Sequence, residues 1–497
     1  MDDVEQSVLL TNFTCKKRRF KVFFHQLKII WDTEKPPFHQ VTVPIQNVIA
    51  VKQNFLPVSH PLDDPSIDPN NFTIHYAEKG RNKTWEYKSI TFRHSDPIQV
   101  VSWVKTLQNH LETFLAFTNR PKKMLLFVNP FGGKRSAMQI YEKEAKPLFI
   151  LANIDVTVNV SQRKDQIKDF VTYHNLDMFD SVACVGGDGT VSELFNGLVI
   201  RECRMKGIDM NDHSQALPKP SLPVGIIPGG STDTIAYCLH GTKDTQTAVL
   251  HIIFGDTLGL DLVSVYDTTR LLRLYASVLS YGYLGDVAYH SDRHRWMGPR
   301  RYEYSGLKKI LMNKGYKGEI AVLSVESGSE GEEGSSSKCF ESCSTCLESS
   351  CDDVSIKKDG CNWKTLNGKY FMVSGANISC ACDRSPNGIA PFCHVGDGHL
   401  YLVLVHHTSL LNILRLLLRM SSKRGKIDDL PFIEMHKGKE FRFKSLEGHS
   451  RWNCDGEVES ETDIHAIVRC QLLSVYSRGN PIPADDETTK CCGLCKN

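Results

Sequence analysis

Three glycine-rich stretches, each followed by small hydroxyl or basic side chains, are places where a phosphate group could be held. They are VNPFGGKRSA (128–137), VGGDGT (185–190) and IPGGSTDT (227–234). Glycine lets backbone N–H groups approach phosphate oxygens closely, and the N-terminus of a following helix adds positive potential. A single glycine pair is often only a tight turn, whereas three together favour a phosphate site. Their spacing matches neither G-x-G-x-x-G nor G-x-x-x-x-G-K-[ST], which disfavours a dinucleotide fingerprint and a Walker loop.

Asp188 is the acid inside the second stretch and is the best candidate for moving a proton. Phosphoryl transfer depends on positioning and charge neutralisation, and an acid beside the acceptor hydroxyl can act as general base. A helix N-terminus would keep this carboxylate ionised. The alternative is that Asp188 is only a helix N-cap. Thr190 and Glu193 have the spacing of a capping box, which would explain both residues without a ligand; a contact between Glu193 and a nucleotide is the other interpretation.

Each glycine-rich stretch follows an apolar run typical of a buried strand. The runs are KMLLFV (123–128), SVACV (181–185) and PVGIIP (223–228), and IDVTVNV (154–160) is a further one. Helical patterns follow these strands, so β and α alternate, which predicts a doubly wound, parallel sheet. Ligands bind at the carboxyl edge of such sheets. We therefore expect the three turns to lie together at that edge.

The pattern differs on either side of this α/β region. Residues 7–115 give short strands followed by a helical segment at 98–117, which predicts a small α+β domain. Strands dominate again from Leu258, which predicts a mostly antiparallel domain. A segment rich in Ser, Glu and Cys interrupts it at 327–360 and is partly disordered by composition. The predicted domains are 1–117, 118–257 and 258–480, with a tail at 481–497.

The N-terminal region resembles a pleckstrin-homology domain in its strand order and in its terminal helix, which contains Trp103. One face of that helix is predicted to consist of Val101, Val104, Leu107 and Leu111. A basic cluster near the first hairpin comprises Lys16, Lys17, Arg18, Arg19 and Lys21. Such domains hold phosphoinositide head groups at this position. The alternative is a solvated edge strand that its charges keep from pairing.

Composition narrows the class of protein. The chain has 497 residues and a net charge of +2, so charge gives no argument for a nucleic-acid partner. The N-terminus lacks a basic flank and a cleavage site, and Asp2 excludes N-myristoylation. No apolar run reaches the roughly 18 residues that a spanning helix needs. We expect a cytosolic protein, or one that is peripheral on membranes.

Seventeen cysteines are a large number for such a chain. Without a secretory signal, free thiols or a metal site are favoured over a disulfide framework. Cys339, Cys343 and Cys346 have ligand-like spacing, but the second C-x₂-C pair of a usual zinc site is missing. A fourth zinc ligand could come from Cys351, Cys361, Cys380 or Cys382. The two alternatives for these cysteines are a zinc site and structural or reactive thiols. The C-terminal region has no C-a-a-X box, although it contains Cys491, Cys492 and Cys495. These cysteines could be palmitoylated, or they could lie in a tail without a function.

The segment SLLNILRLLLRMSSKRGK (409–426) has the pattern of a basic amphipathic helix. One predicted face consists of Leu410, Leu411, Leu414, Leu417 and Leu418, and another carries Arg415, Arg419 and Lys423. Such a helix can bind calmodulin, with Ca²⁺ as regulator, or an anionic lipid surface. The alternative is a core helix with a solvated basic face.

The motifs N-P-x-G-G-K (129–134), G-G-D-G-T (186–190) and G-S-T-D-T (230–234) resemble the diacylglycerol kinase catalytic family, which includes sphingosine and ceramide kinases. The segments 280–306, 378–405 and 452–458 are similar to later signatures of that family. The third turn, the spaced cysteines and the N-terminal domain resemble the ceramide kinases most. The resemblance covers nearly the whole chain. It implies a lipid kinase that uses ATP and Mg²⁺, with a Rossmann-like nucleotide domain and an antiparallel β-sandwich.

The resemblance also implies roles for single residues. Asp188 would be the general base, and Gly186, Gly187 and Gly189 would line the acceptor beside it. The nucleotide would contact Asn129, Pro130, Phe131, Gly132, Gly133, Lys134, Ser161, Gly187, Gly189, Glu193, Ser231, Thr232, Asp455, Gly456 and Glu457. Ser161 stands where the family has a threonine, and Gln162 replaces the glutamate that usually follows.

Several of these residues have a plain structural alternative. Lys134 can be a solvated residue at a helix start, and Ser231 and Thr232 can be helix caps. The resemblance implies that Asp286 contacts a lipid hydroxyl or amide. Ordinary turns would explain Asp286 equally well, and also Asp397 and the Asp-Gly pair at Asp455. Glu457 is a competing base if Asp188 serves only Mg²⁺.

The leading functional interpretation is transfer of the γ-phosphate of ATP to the primary hydroxyl of ceramide, giving ceramide 1-phosphate and ADP. The resemblance implies that this takes place on Golgi or plasma membranes. The alternatives are a sphingosine or diacylglycerol kinase, and a catalytically silent, ceramide-kinase-like lipid-binding protein. A silent relative would be expected to lose the glycine turns or Asp188, and the sequence retains both.

Overall fold

The computed structural model describes residues 9–36, 38–55, 67–80, 84–133, 135–297, 300–325, 343, 361–422, 425–447 and 449–479. Two compact units are formed. The first comprises Met1–Lys122, Glu142–Val156 and Asp244–Asp256, and the second Lys123–Tyr141, Thr157–Lys243 and Thr257–Asn497. Among the residues singled out above, those outside the described part are Lys134, Cys339, Cys346, Cys351, Lys423, Cys491, Cys492 and Cys495.

The first unit is built on an antiparallel seven-stranded sheet in the order β4-β3-β2-β1-β7-β6-β5. Its strands are β1 (Leu9–Cys15), β2 (Arg18–His25), β3 (Lys28–Thr33), β4 (Gln40–Pro44), β5 (Val48–Phe55), β6 (Ile67–Lys79) and β7 (Trp85–Arg93). The basic cluster follows the β1–β2 turn, where Lys16 and Lys17 have positive φ. Because β2 is paired on both sides, by β1 and by β3, the edge-strand explanation of this cluster is wrong.

Helix α1 (Pro97–Leu115) covers one face of that sheet, as the pleckstrin-homology resemblance implied. It begins at Asp96, whose Oδ1 accepts a hydrogen bond from the Ile98 N–H at 2.9 Å, and Pro97 supplies a suitable φ at the first position. The predicted buried face was wrong at its start, because Val101 is exposed and Val100 is buried. The buried face is Val100, Trp103, Val104, Leu107 and Leu111.

Two short helices from later in the chain complete the first unit: α3 (Lys146–Leu151) and α7 (Thr245–Phe254). The Trp85 N–H donates a 2.9 Å hydrogen bond to Thr247 Oγ1, and the rings of Trp85 and Phe254 lie 5.1 Å apart. Thr247 itself is fixed by Asp244, which caps α7. Local patterning cannot reveal this packing, because the bonded residues are 162 positions apart.

The second unit contains the parallel strands that the sequence predicts, in the order β11-β10-β8-β9. They are β8 (Lys123–Val128), β9 (Asp155–Val160), β10 (Ser181–Gly186) and β11 (Val224–Pro228), and β10 pairs in parallel with both β8 and β11. The helices are α2 (Ala137–Ile140), α4 (Gln166–Tyr173), α5 (Asp188–Lys206) and α6 (Thr234–His240). A π-helical turn at Tyr141–Ala145 continues α2 and belongs to the first unit from Glu142 onward.

The antiparallel strands of the second unit belong to the same hydrogen-bonded sheet. They are β12 (Thr257–Tyr266), β13 (Leu271–Tyr275), β14 (Val278–Gly282), β15 (Tyr316–Val325), β16 (Cys361–Ala376), β17 (Leu400–His406), β18 (Ile433–Glu447), β19 (Trp452–Cys454), β20 (Glu457–Glu459) and β21 (Ile464–Tyr476). Strand β21 makes the junction: Val475 pairs with Val224 in the parallel direction, while β12 and β18 pair with β21 antiparallel. The α/β part and the β part therefore form one continuous scaffold.

Three further helices lie on the antiparallel part: α8 (Tyr283–Ser291), α9 (Arg300–Met312) and α10 (Leu410–Ser421). The sequence indicated only α10, and its buried face differs from the prediction. Ile413 and Leu416 are buried, whereas Leu411 is 78% and Leu418 71% exposed. The helix packs through the first pair onto an apolar cluster that includes α9 and β16, and Leu417 packs against it in part. The exposed leucine face therefore consists of Leu410, Leu411, Leu414 and Leu418. Within the described residues, no helix is long and apolar enough to cross a bilayer.

Candidate active site

The backbones of the three glycine turns touch one another. A Cβ atom added at Gly133 would lie 2.6 Å from the carbonyl carbon of Gly230, and one added at Gly230 would lie 2.5 Å from Gly187 Cα. Such distances are shorter than real Cβ contacts, so no side chain fits at either position. Glycine is required here by the approach of one turn to another, and a phosphate is not needed to explain it.

Side chains and backbone groups also tie the turns together. Asn129 Oδ1 accepts a 3.0 Å hydrogen bond from the Phe131 N–H, and its Nδ2 donates to Thr190 Oγ1 at 2.9 Å. The Gly229 N–H donates to the Gly186 carbonyl at 3.1 Å. The capping-box interpretation of Thr190 is wrong, because α5 begins at Asp188 with Gly187 as its N-cap. Thr190 instead connects the first turn to the second.

Asp188 is the first residue of α5, and its carboxylate faces the start of a different helix. Its Oδ2 accepts a hydrogen bond from the Thr234 N–H at 3.1 Å, and its Oδ1 accepts one from the Ile235 N–H at 3.0 Å. These are the first two residues of α6. The N-cap interpretation is wrong for α5, because Gly187 is its N-cap. The Asp188 side chain instead accepts from the first two amides of α6, and this contact joins the second and third turns.

Burial raises the pKa of Asp188 from 3.8 to about 6, and the repulsion of Asp233 and Asp455 adds to that rise. The amides of Ile235 and Thr234 oppose the rise because they stabilise the ionised form. The carboxylate is then mostly ionised at neutral pH but accepts a proton easily. A pKa near the working pH suits a general base.

Asp455 comes close enough to Asp188 to affect its pKa, although the residues are far apart in sequence. Its own carboxylate accepts hydrogen bonds from the N–H groups of Ala276 at 2.7 Å, Ser277 at 3.0 Å and Val278 at 3.1 Å, and from Ser277 Oγ. Burial raises its pKa. Asp455, which begins the loop between β19 and β20, therefore clamps the start of β14, and its charge acts on Asp188.

The remainder of that loop contacts the turn after β9. Glu457 Oε2 lies 2.5 Å from Lys164 Nζ, and the Gly456 N–H donates to Asn453 Oδ1 at 3.0 Å. In the same turn Ser161 is buried and donates its N–H to the Val128 carbonyl at 3.0 Å. Lys164 was not among the residues predicted for the site. The basic pair in the SQRKD segment was its only signal, and such pairs usually face solvent.

Glu193 projects from α5 toward the start of α4. Hydrogen bonds from the backbone amides of Asp165 and Ile167 lower its pKa, but burial outweighs them and raises it. This glutamate therefore positions α4. Its contact with a nucleotide stays a prediction.

The third turn exposes two hydroxyl side chains and buries an acid. Ser231 and Thr232 are exposed, and neither is the N-cap of α6, which is Asp233. Asp233 has a φ of 53°, and its Oδ1 accepts a 2.8 Å hydrogen bond from the Gly230 N–H. The capping explanation of the two hydroxyl residues is therefore wrong. Asp233, which the sequence analysis passed over, shapes the turn that presents them.

Two other acids singled out from the sequence have different surroundings. Asp286 lies on α8, so the turn explanation is wrong for it; its carboxylate contacts Ser450, Tyr316 and Lys309. Asp397 accepts the His399 N–H at 3.1 Å and pairs with Lys437 at 2.8 Å. Burial alone would raise the pKa of Asp397, but the hydrogen bonds and charges of His399 and Lys437 outweigh burial and lower the pKa to about 2. Asp397 thus has a structural partner that accounts for its charge.

Among the described residues, no three His, Cys, Asp or Glu side chains are placed to hold a metal ion. Cys343 Sγ lies 3.2 Å from His394 Nε2. Cys380, proposed above as a possible ligand, instead donates to the Ile378 carbonyl at 3.3 Å, and burial raises its pKa well above the usual value for a thiol.

Comparison with known proteins gives three matches to family models. Residues 123–265 match the diacylglycerol kinase catalytic domain, 277–495 the ceramide kinase C-terminal domain, and 9–107 the ceramide kinase PH domain.

Two curated relatives are similar over most of the chain. Ceramide kinase of Homo sapiens is 34% identical over 488 residues, covering 89% of this chain and 90% of the relative. Ceramide kinase of Mus musculus is 35% identical, covering 83% and 84%. Among solved structures, a putative diacylglycerol kinase from Bacillus anthracis str. Sterne aligns with 72% of this chain and 96% of its own, with a TM-score of 0.49 at 16% identity.

Proposed function

Since the chain belongs to the ceramide kinase family and is an ATP-dependent lipid kinase, we propose that it transfers the γ-phosphate of ATP to the primary hydroxyl of ceramide, giving ceramide 1-phosphate and ADP. The observation that carries this proposal is the contact of the three glycine turns around Asp188. Backbone amides of the turns would face the phosphates. Asp188 would face the acceptor hydroxyl.

The geometry of Asp188 supports its role as general base. An ionised carboxylate has about four lone-pair positions, and the hydrogen bonds from the Thr234 and Ile235 N–H groups use one on each oxygen. The remaining lone pairs can take the hydroxyl proton. Because two amides of α6 fix the carboxylate, it need not reorient as the proton moves. Glu457 is the weaker candidate, since Lys164 already pairs with it.

The acids around Asp188 fit a divalent cation that arrives with ATP. Asp233 and Asp455 both raise the pKa of Asp188, so the region disfavours further negative charge. Carboxylate oxygens are ligands that Mg²⁺ prefers, and we propose that Asp233 faces the cation while Asp188 keeps its free lone pairs for the hydroxyl proton. Bound Mg²⁺ would neutralise charge on the transferring phosphate. The other nucleotide contacts that we propose are Asn129, Pro130, Phe131, Gly132, Gly133, Lys134, Ser161, Gly187, Gly189, Glu193, Ser231, Thr232, Asp455, Gly456 and Glu457.

The activity should depend on pH through Asp188. Its folded-state pKa of about 6 lies above the ordinary 3.8. As pH falls through about 6 the base becomes protonated, so kcat/KM is expected to drop about tenfold per pH unit below that point. A pH profile measured with saturating Mg·ATP checks this. An acid limb centred near pH 4 would mean that burial does not raise the pKa of the base.

Radiolabelled ATP offered with ceramide, sphingosine and diacylglycerol in parallel tests the proposed function. We expect labelled ceramide 1-phosphate as the main product. Preferential labelling of sphingosine or diacylglycerol would reassign the substrate. No labelling of any of the three would favour a silent lipid-binding protein.

A PH domain and a lipid substrate suit peripheral association with membranes, and we propose two surfaces for it. One is the basic cluster after the β1–β2 turn, for phosphoinositide head groups. The other is the exposed leucine face of α10, for calmodulin in the presence of Ca²⁺ or for Golgi or plasma membrane lipid. Leu418→Asp is expected to weaken Ca²⁺-dependent retention on immobilised calmodulin at least about tenfold, because it places a charge on the apolar face. Retention that is independent of Ca²⁺, or unchanged by the substitution, would contradict the calmodulin proposal.

A further inference from the structure

A largely buried ion pair joins α8 and α9. Lys309 Nζ lies 3.4 Å from Asp286 Oδ2, and the two side chains are only 11% and 14% exposed. Charges removed from water in this way interact more strongly than they do at a surface. Lys309 therefore neutralises most of the charge that Asp286 would otherwise offer to a ligand.

Nearly all hydrogen-bonding positions of Asp286 are occupied. Ser450 Oγ donates to Oδ1 at 2.7 Å, and the Tyr316 hydroxyl donates to Oδ2 at 2.5 Å, in addition to Lys309. The pKa of Tyr316 is raised far above its usual value by burial and by this bond, so its hydroxyl keeps its proton and acts as donor. Of the roughly four lone-pair positions of the carboxylate, about one is left. A ligand can bring a single neutral donor, such as an amide N–H or a hydroxyl.

The electrostatic potential of the side chains on and near α8 and α9 also disfavours a second cation. Lys308 and Arg293 are exposed on α9 and just after α8, and both contribute to the field at His290. The pKa of His290 is lowered mainly by burial, and next by the positive charge of Lys309. The negative charge of Asp286 raises it, but by less than Lys309 lowers it. A cation near His290 therefore meets more repulsion from Lys309 than attraction from Asp286.

We propose that Lys309 is a specificity-determining residue, which restricts this site to lipids whose nitrogen is acylated and uncharged. This inference rests on the proposed function, because it assumes that the head group of the lipid reaches Asp286. An amide N–H fits the one acceptor position that is left. The ammonium group of a free sphingoid base brings a positive charge and three donors, and it would have to displace Lys309 to be paired.

The test compares two lipids that differ in N-acylation, sphingosine and N-acetylsphingosine, in the same mixed micelles at neutral pH. Wild type is expected to prefer N-acetylsphingosine. In Lys309→Met the ratio of kcat/KM for N-acetylsphingosine to that for sphingosine is expected to fall at least about tenfold, because the like charge is gone. Lys309→Arg keeps the charge and should keep the preference. The control is Lys206→Met, which removes a lysine on α5 whose side chain is 55% exposed, and it should leave the ratio unchanged.

The two proposals fail in different ways. Wild type that prefers sphingosine would overturn both the ceramide assignment and the role of Lys309. Wild type that prefers N-acetylsphingosine, with the ratio unchanged in Lys309→Met, would overturn the role of Lys309 alone. A purely structural role would lower turnover of both lipids by the same factor, so it would also leave the ratio unchanged.

Discussion

Asp188→Asn is expected to lower kcat/KM with ceramide and Mg·ATP by about 10²–10⁴-fold. The substitution keeps the size and shape of the side chain but removes the group that takes the hydroxyl proton. Initial rates at neutral pH measure the effect. The acid limb near pH 6 should vanish from the residual activity, because the group that causes it is absent.

Two controls separate lost chemistry from lost structure. Asp177→Asn changes an acid whose side chain is 79% exposed and should leave the rate unchanged. For Asp188→Asn the Tm is expected to fall by no more than a few degrees. The ionised carboxylate is itself disfavoured by burial, so replacing it with a neutral amide offsets part of the lost bonding to α6. Turnover within a few-fold of wild type would exclude Asp188 as the base.

Gly230→Ala is expected to have the second largest effect, through the contact between turns. Its Cβ would lie 2.5 Å from Gly187 Cα and 2.6 Å from Asp233 Oδ1, so the third turn would have to move away from the second. Overpacking of this kind costs about 1–3 kcal/mol. Because the third turn leads into the α6 amides that hold Asp188, turnover is also expected to fall, by about 10²-fold. Thermal unfolding and initial rates measure the two effects.

Gly189→Ala is the matched control for stability. It lies in the second motif, two residues from Gly187, but an added Cβ there meets nothing within 4 Å. Gly189 is in the first turn of α5, where alanine is favourable. Its Tm is expected to equal or exceed that of wild type. If Gly230→Ala kept the wild-type Tm and rate, the contact between the turns would not matter to the fold or to catalysis.

Local features of the site could be predicted from the sequence, because short-range chemistry determines them. Apolar runs ending in glycine pairs indicated parallel strands followed by turns at 128–137, 185–190 and 227–234, and β8, β10 and β11 end there. The family resemblance added the overall reaction. Interpretations that depended on helix starts were less successful. Capping patterns near Thr190 and Ser231 matched the rules, but the chain begins α5 and α6 at other residues.

Only the tertiary structure decided which distant groups meet. Asp188 accepts hydrogen bonds from the first two amides of α6, the charge of Asp455 reaches Asp188, and Lys309 neutralises Asp286. Each of these relations joins separate elements, and the pairing of such elements leaves no periodic signal in either segment. The outward leucine face of α10 has the same cause, since packing through Ile413 and Leu416 settles which of two apolar stripes is buried. By itself the sequence determined the strands, the glycine turns and the acid among them. The partners that set the charge and position of each acid came from the folding of residues far apart in the chain.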